Sequence, residues 1–206
     1  MKLPTVSALF LGFANLSFGQ LYAAKVVEHI APKSTKCPAK LKECRTAEQA
    51  APYIARSMYE YGVYSVKEMA AIISLMAFES GDFQYKQNAF PGRPGQGTAN
   101  MQMAKFNLMY AKQIPGVKGH LEGVDSIDGM SDDELNEILA LVKPDKYNFG
   151  SGPWFLTTQC DKSVRTKFND DVDEGFKAYM ECVGVEVTDD RLAYFTRAKE
   201  AFGLDC

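Results

Sequence analysis

The residues that most clearly suggest chemistry stand together between Ala77 and Met103. An apolar run from Met69 to Phe78 leads directly into Glu79 and then Ser80-Gly81. Such a run favours a helix that is buried on most sides, and Ser-Gly is a common place for a helix to end. A carboxylate at the buried end of a helix is a candidate proton donor. The sequence therefore marks Glu79 as a candidate general acid, with an ion pair to an arginine or a helix cap as the structural alternative.

The residues around Glu79 resemble motifs of the lysozyme-like superfamily. Glu79-Ser80, the nearby Phe83 and the later Met101-Gln102-Met103 resemble the Glu-Ser pair, Phe and Leu-Met-Gln turn of soluble lytic transglycosylases. The turn 91–95, Pro-Gly-Arg-Pro-Gly, resembles a Gly-rich turn of family 19 chitinases. The resemblance covers roughly residues 69–110, and Tyr-Asn-Phe-Gly at 147–150 is a later echo of it.

This resemblance implies an all-α, lysozyme-like single domain that cleaves β-1,4-linked N-acetylated glycans, either as a muramidase-like hydrolase or as a lytic transglycosylase. It makes Glu79 the general acid, needs no cofactor or metal, and has a polysaccharide such as peptidoglycan as its partner. Two alternatives stay open: a chitinase-like hydrolase, and a catalytically silent glycan-binding or effector protein that keeps the fold. The residues implied in substrate binding are Ser80, Gln102, Tyr147 and Asn148.

Several of these assignments have a structural alternative. Ser80 either orients Glu79 or caps the next turn, and Gln102 either contacts a sugar or is an exposed amide on a helix. Glycoside hydrolysis ordinarily needs a second carboxylate across the sugar ring. Asp82 is the nearest one, but a neighbour three residues along a helix lies on the same side of a cleft. Hydrolysis and transglycosylation therefore both remain open.

The first 19 residues have the pattern of a signal peptide. A basic residue is followed by an apolar segment that is too short to span a bilayer, and small residues precede Gln20. We therefore expect a secreted, extracellular protein. The predicted domain plan is a signal peptide at 1–19, an extended N-terminal arm at 20–45 and a lysozyme-like catalytic domain at 46–206.

The cysteines support an oxidising compartment, in which they should form disulfides. Cys37 and Cys44 are close in sequence and predict one small disulfide-closed loop; the remaining three predict one further pair and one leftover thiol. No C-x-x-C motif occurs and the chain has only two histidines, so metal binding is poorly supported. The five cysteines are Cys37, Cys44, Cys160, Cys182 and Cys206.

Composition excludes other classes of function. The net charge is −3 and no basic stripe is present, so nucleic acid is not an expected partner. No segment after the signal peptide is long and apolar enough to predict a membrane span. The pattern G-x-S-x-G of serine hydrolases is absent, and we expect a monomer.

Helical periodicity and capping motifs predict the elements that must position these residues. Thr46 to Gln49 and Ser65 to Glu68 resemble capping boxes, which would open a helix to about Tyr61 and the helix that delivers Glu79. A Gly- and Pro-rich loop, 83–99, is predicted to form a wall of the cleft. Further helices are predicted at 100–113, 131–142, 170–182 and 189–202.

Overall fold

The computed structural model describes residues 22–204, and this part of the chain is all-α, as the sequence predicts. Its helices are joined by loops and by two short 3₁₀ turns, Pro32–Thr35 and Lys118–Leu121. Extended pairing among the described residues is limited to isolated bridges. The helices are α1 (22–30), α2 (Ala47–Glu60), α3 (Val66–Glu79), α4 (Ala104–Gln113), α5 (Asp132–Val142), α6 (Asp145–Asn148), α7 (Ser151–Thr158), α8 (Lys162–Asp170), α9 (Val172–Val183) and α10 (Asp189–Phe202).

Two predicted helix starts differ in how they are capped. The Thr46 hydroxyl accepts a hydrogen bond from the backbone N–H of Gln49, whose side chain accepts one from the backbone of Thr46 in return, so this capping box is confirmed. Ser65 occupies the N-cap of α3 but makes no capping hydrogen bond. Glu68 instead accepts two hydrogen bonds from Arg165 at 2.7 and 2.9 Å. The predicted capping box at Ser65 is therefore wrong, because the Glu68 carboxylate binds Arg165 instead of the N-terminus of α3.

Helix α3 is the centre of the larger hydrophobic core. Nine of its fourteen residues are buried, as its continuous apolar sequence predicts, and α10 packs against it. A second apolar cluster surrounds Trp154, whose indole N–H donates to the Gln113 side chain at 2.9 Å. Trp154 is a core aromatic residue. These two clusters hold the ends of α3, α4 and α7 next to one another.

The N-terminal part of the described chain differs from the predicted extended arm at 20–45. Residues 22–30 form helix α1, and its apolar face, which includes Val27 and Ile30, is part of the larger core. Buried positions at Ala24, Val27 and Ala31 follow helical spacing, but the segment is too short for this pattern alone to distinguish a helix from an extended arm. The signal peptide expected at 1–19 lies outside the described residues.

Two helix boundaries also differ from the prediction. Helix α4 begins at Ala104 rather than at Asn100, because Thr98 and Met101 have left-handed backbones that a helix cannot contain. The prediction also missed α8 and started the next helix too early. Asp171 separates the two helices: its extended backbone ends α8, and its carboxylate caps α9.

Two disulfides join described residues. Cys37–Cys44 closes the predicted small loop, and Cys160–Cys182 ties the end of α7 to the end of α9. The fifth cysteine, Cys206, lies outside the described residues. Within 22–204 no helix is long and apolar enough to cross a membrane.

Candidate functional site

Glu79 lies at the C-terminal end of α3 and is paired with an arginine. The Nη2 group of Arg191 donates to Glu79 Oε1 at 2.8 Å, and the guanidinium carbon lies 4.6 Å from the centre of the Phe78 ring. Both charged side chains are mostly buried. The structural alternative for Glu79 is therefore correct: its carboxylate neutralises Arg191, which stands in the first turn of α10.

Ser80 caps the turn after α3 and does not orient Glu79. Its hydroxyl donates to the carbonyl of Met76 at 2.6 Å and accepts from the backbone N–H of Phe83 at 2.9 Å. Both hydrogen bonds satisfy backbone groups at the end of a helix. Ser80 is fully buried, so its role is to fix the backbone on which Glu79 stands.

Asp82 is buried, and its carboxylate contacts α10 and the turn after α1. Its carboxylate accepts hydrogen bonds from the backbone N–H of Lys33 at 2.7 Å and from the hydroxyl of Tyr194. Burial and then this hydrogen bond to Asp82 raise the pKa of Tyr194 well above its usual value. Asp82 therefore links α10 to the 3₁₀ turn after α1, and its carboxylate is not available as a second catalytic group.

Gln102 and Asn100 line a small chamber next to Glu79. The chamber has a volume of about 200 Å³. Asn100 and Gln102 are only 4% and 5% exposed. Both side-chain polar atoms of Asn100 and the Oε1 of Gln102 lack a hydrogen-bond partner among the described residues. Gln102 is thus a buried amide before α4, not an exposed amide on a helix, and its Nε2 donates to Asn107 at 2.9 Å.

The rest of this chamber is largely apolar. The rings of Phe106 and Phe155 meet edge to face with centroids 4.8 Å apart. Val183 and Val185 also line the chamber, and the Cys160–Cys182 disulfide holds that segment to the end of α7. The chamber is therefore lined by a few polar residues among mainly apolar ones, which is the usual character of a small-molecule site. Arg93, which is exposed, stands at its edge.

A second chamber of about 420 Å³ lies on the other side of Glu79. It shares Glu79, Gln96 and Met101 with the first chamber and is lined by aromatic side chains, among them Tyr85 and the almost fully exposed Phe90. The two chambers border each other at these three shared residues and are together called the cleft below. Residues of the loop 83–99 line both chambers, and the role of this loop as a wall of a substrate cleft stays a prediction.

Two predicted substrate contacts lie elsewhere. Tyr147 lines a separate hollow with Tyr61 and Tyr110, whose hydroxyl donates to the Tyr147 carbonyl at 2.9 Å. Asn148 is buried behind the cleft wall, where its carbonyl oxygen accepts from the backbone N–H of Ala99 at 3.4 Å. The structure thus brings Glu79 and Gln102 together but not Tyr147 or Asn148.

Left-handed backbones cluster around the cleft. Asp82 and Phe83 follow Glu79 with φ of 61° and 64°, and Thr98 and Met101 have φ of 63° and 44°. Non-glycine residues in this region cost of order 1–3 kcal/mol each, and such strain tends to collect at functional sites. A β-branched residue such as Thr98 is the most unusual of the four. The strain therefore favours a role for the cleft in binding.

The described residues contain no group of three or more His, Cys, Asp or Glu side chains arranged to hold a metal ion. His29 is paired with Glu200 at 2.9 Å on the surface. His120 is exposed on the second 3₁₀ turn.

The sequence analysis did not identify Arg191, Asn100, Val183 or Val185 as residues of the site. Arg191 carries a detectable signal, because a cation in the first turn of a helix opposes the helix dipole and calls for a carboxylate partner. Asn100 carries none, since a single Asn after a Gly-rich loop is ordinary turn chemistry. The valines are brought to the site only by tertiary packing.

Comparison with known proteins gives one informative relative. The chain is 59% identical over 157 residues to a protein of Fusarium oxysporum (strain Fo5176) described as a bifunctional dioxygenase (DOX)-epoxy alcohol synthase (EAS). The match covers 76% of this chain and 12% of the relative, so the chain spans about an eighth of the relative's length. No family model and no solved structure matches.

This relative overturns the predicted identity. It contradicts the resemblance to lysozyme-like proteins, the glycosidase activity and the associated peptidoglycan and chitin assignments, since its name describes an oxygenase and synthase. A polysaccharide partner is likewise unsupported. The geometry gives a physical reason for the error. The motif around Glu79 is present in sequence, but the Glu79 carboxylate is paired with Arg191 and the Asp82 carboxylate is bound by Tyr194 and the backbone of Lys33.

Proposed function

We propose that this chain is a ligand-binding domain that takes a small oxygen-bearing apolar molecule, such as an epoxy alcohol, into the chamber beside Glu79. The observation that carries the proposal is the pair of buried amides, Asn100 and Gln102, which line the chamber and whose side chains include polar atoms without a partner among the described residues. Leaving a buried polar group unsatisfied costs about 1–3 kcal/mol. A ligand that forms the missing hydrogen bond should therefore bind more tightly by a similar free energy.

The hydrogen-bonding pattern of the chamber matches this ligand class. Asn100 Nδ2 is a donor, whereas Asn100 Oδ1 and Gln102 Oε1 are acceptors. An epoxy alcohol offers one hydroxyl donor and two oxygen acceptors, so it could satisfy both kinds of atom. Its hydrocarbon part would lie against Phe106 and Phe155, or extend past Glu79 into the second chamber. The name of the relative, which includes an epoxy alcohol synthase, supports the same class.

Binding can be measured through the single tryptophan. Trp154 packs against Phe155, with ring centroids 6.1 Å apart, and Phe155 lines the chamber. An epoxy alcohol with a short alkyl chain should change the Trp154 emission in a saturable manner. The corresponding alkene without oxygen should bind at least tenfold more weakly, since one unmade hydrogen bond to a buried group is worth about 1.4 kcal/mol or more.

Two matched Asn→Leu substitutions separate a binding role from a structural one. Asn100→Leu removes atoms that have no partner, so the free protein should keep or gain stability while ligand affinity falls at least tenfold. The Asn107 amide bonds the backbone carbonyls of Gly95 and Gln102 and also the side chain of Gln102. Asn107→Leu removes all three hydrogen bonds, so it should destabilise the fold. Unfolding in urea and ligand titration measure both effects. Unchanged affinity in Asn100→Leu would remove the basis of the proposal.

We also propose that the chain is exported, as the sequence predicts. The two disulfides support this compartment, because such bonds persist in oxidising environments. Expressed with its own N-terminus in a fungal host, the protein should be recovered from the medium with Gln20 as its first residue. N-terminal mass spectrometry of the recovered protein tests this directly. Retention of residues 1–19 in the mature chain would contradict the signal peptide.

A further inference from the structure

A polar hollow of about 380 Å³ lies between the end of α2, the end of α4 and α6. The residues that line it differ from those of both chambers of the cleft. Its aromatic lining consists of Tyr61, Tyr110 and Tyr147, and it is called the tyrosine hollow below. Aromatic side chains around a concave surface suit a ligand with a flat apolar part. The tyrosine hollow is therefore a candidate site for a second small molecule.

The tyrosine wall of this hollow is held in place by other residues. The Tyr110 hydroxyl donates to the Tyr147 carbonyl at 2.9 Å and so ties α4 to α6. The rings of Tyr61 and Tyr110 have their centroids 6.5 Å apart. A Cβ at Gly150 would lie 2.3 Å from the Tyr110 hydroxyl, so Tyr110 can take this position only because residue 150 is glycine. Since the wall is already ordered in the free protein, a ligand loses little affinity in ordering it.

The charged residues of the tyrosine hollow leave one cation without a carboxylate partner. Arg56 and Glu60 pair with each other at 2.7 Å, so their charges cancel. Lys146 forms no ion pair within residues 22–204, and its ammonium lies 4.4 Å from the centre of the Tyr147 ring. With two cations and one carboxylate, the lining has a net charge of +1. This charge suits a monoanion better than a doubly charged phosphate.

The other polar groups that remain unpaired in the lining can also donate hydrogen bonds. The Oε1 atom of Gln113 accepts from the Trp154 indole at 2.9 Å, so this side chain still has its amide N–H groups to offer. The Tyr147 hydroxyl has no hydrogen-bond partner in the described part of the chain. A Cβ at Gly116 would lie 3.1 Å from that hydroxyl oxygen, so glycine leaves space beside it. An ammonium, an amide N–H and a phenol O–H together match a carboxylate, which only accepts hydrogen bonds.

We propose that the tyrosine hollow binds a small monocarboxylate that carries an aromatic ring. The carboxylate lies at the Lys146 ammonium and accepts further hydrogen bonds from the Tyr147 hydroxyl and the Gln113 amide. The ring packs among the tyrosine rings and beside Ile114 and Pro115, which also line the hollow. Tyr147, which the sequence predicted to be a substrate contact, is thus a ligand contact of a second site. This site does not depend on the ligand proposed for the cleft.

Calorimetric titration of the full chain with benzoate tests the proposal. Benzoate should bind at least tenfold more tightly than benzamide, which has the same ring but no charge, because charge-assisted hydrogen bonds are roughly twice as strong as neutral ones. Inorganic phosphate should also bind at least tenfold more weakly than benzoate, because it has no ring to pack against the tyrosines.

Two matched lysine variants locate the carboxylate. Lys146→Gln should fold, because Lys146 is exposed, and should lower the affinity for benzoate at least tenfold. Lys105→Gln is the control: Lys105 is also exposed and lies 4.6 Å from the centre of the Phe106 ring, but it does not line the hollow. This control should leave the affinity unchanged. Tyr147→Phe removes only a hydroxyl and should weaken benzoate binding about three- to tenfold.

Support requires that benzoate binds more tightly than benzamide and phosphate, and that Lys146→Gln and Tyr147→Phe weaken its binding while Lys105→Gln does not. Equal affinity for benzoate and benzamide overturns the proposal, because the charge then has no role. Equal affinity for benzoate and phosphate overturns it as well, since the ring then has none. Arg93→Gln distinguishes this site from the cleft, at whose edge Arg93 stands. Benzoate binding that is lost in Arg93→Gln but kept in Lys146→Gln places the carboxylate in the cleft and overturns the proposal.

Discussion

At the scale of single residues, the pair of Glu79 and Arg191 joins the end of one helix to the start of another. Arg191 also donates to the carbonyl of Glu186 at 3.2 Å, so its guanidinium is held from two sides. The positive end of the α10 dipole disfavours a cation at this position. Glu79 offsets that cost, and the two side chains should therefore contribute to stability as a unit.

A double-mutant cycle tests this coupling. Glu79→Gln should lower the free energy of unfolding by about 1–3 kcal/mol, because a charged hydrogen bond is lost and Arg191 stays in place. Arg191→Met in the Glu79→Gln background should cost less than it does alone. Urea unfolding of the four proteins gives the coupling energy.

Glu60→Gln provides the control for this cycle, since it removes an exposed ion pair with Arg56. Exposed pairs contribute little, so no measurable change is expected. Additive effects of Glu79→Gln and Arg191→Met would show that the two residues act independently.

At the scale of elements, Gly97 determines how closely the cleft loop approaches its neighbours. A Cβ at this position would lie 2.5 Å from the Lys86 carbonyl oxygen and 2.7 Å from the Leu139 side chain. Gly97→Ala should therefore destabilise the fold by about 1–3 kcal/mol through overpacking, and weaken ligand binding by displacing the loop.

Gly119→Ala is the matched control for Gly97. A Cβ at Gly119 has no heavy atom within 4 Å, and its backbone is not left-handed. Gly119→Ala should change the free energy of unfolding by no more than about 0.5 kcal/mol. Thermal unfolding of both variants makes the comparison, and similar losses at the two positions would contradict the close packing at Gly97.

Asp145 connects three segments of the chain and makes stability depend on pH. Burial alone would raise the pKa of Asp145, but hydrogen bonds and charges from Lys86 and Arg45 lower it below its ordinary value. A carboxyl whose folded pKa is depressed contributes stability that is present above its unfolded pKa of about 4. This contribution is lost as the pH falls through the folded pKa.

We therefore expect the stability of the wild type to fall more steeply than that of Asp145→Asn between about pH 5 and pH 2. Chemical unfolding at several pH values measures the two slopes. Parallel slopes would show that Asp145 has the same pKa in the folded and unfolded chain. Asp125→Asn is a suitable control, because this carboxylate bonds Lys112 on the surface.

At the scale of the whole molecule, the Cys160–Cys182 disulfide constrains the C-terminal half. It closes a sequence separation of 22 residues, compared with 7 for Cys37–Cys44. Replacing both Cys160 and Cys182 by Ser should lower stability by about 2–4 kcal/mol and also weaken ligand binding, since Val183 follows the bond directly. Replacing Cys37 and Cys44 should cost less. Urea unfolding and Trp154 titration compare the two, and a larger loss from the short loop would contradict this ranking.

The sequence predicts what local chemistry determines. The all-α class, the capping box at Thr46 and the Cys37–Cys44 loop follow from residues close together in the chain, and all three are confirmed. The burial of α3 follows from its continuous apolar sequence. The C-terminal end of that helix places Glu79 in the lining of both chambers, and the functional role of this site stays a prediction.

Interactions between distant residues account for the errors. Arg191 lies 112 residues after Glu79, so nothing beside the carboxylate in sequence shows that it is neutralised. Asn100 becomes unusual only through the walls that tertiary packing builds around it. The resemblance to lysozyme-like proteins rested on short motifs, whereas the relative matches over 157 residues, and the longer match outweighs them.

The covering of α3 by α10 has a consequence for how the protein is made. The strongly apolar helix α3 is synthesised well before α10, which covers it and carries Arg191. Chains generally fold as units while synthesis proceeds, at about 5–20 residues per second. For several seconds a nascent chain thus exposes the surface of α3 and has no completed cleft. Pulse labelling should find nascent chains that end before Asp189 bound to chaperones, and chains that extend past Phe202 released.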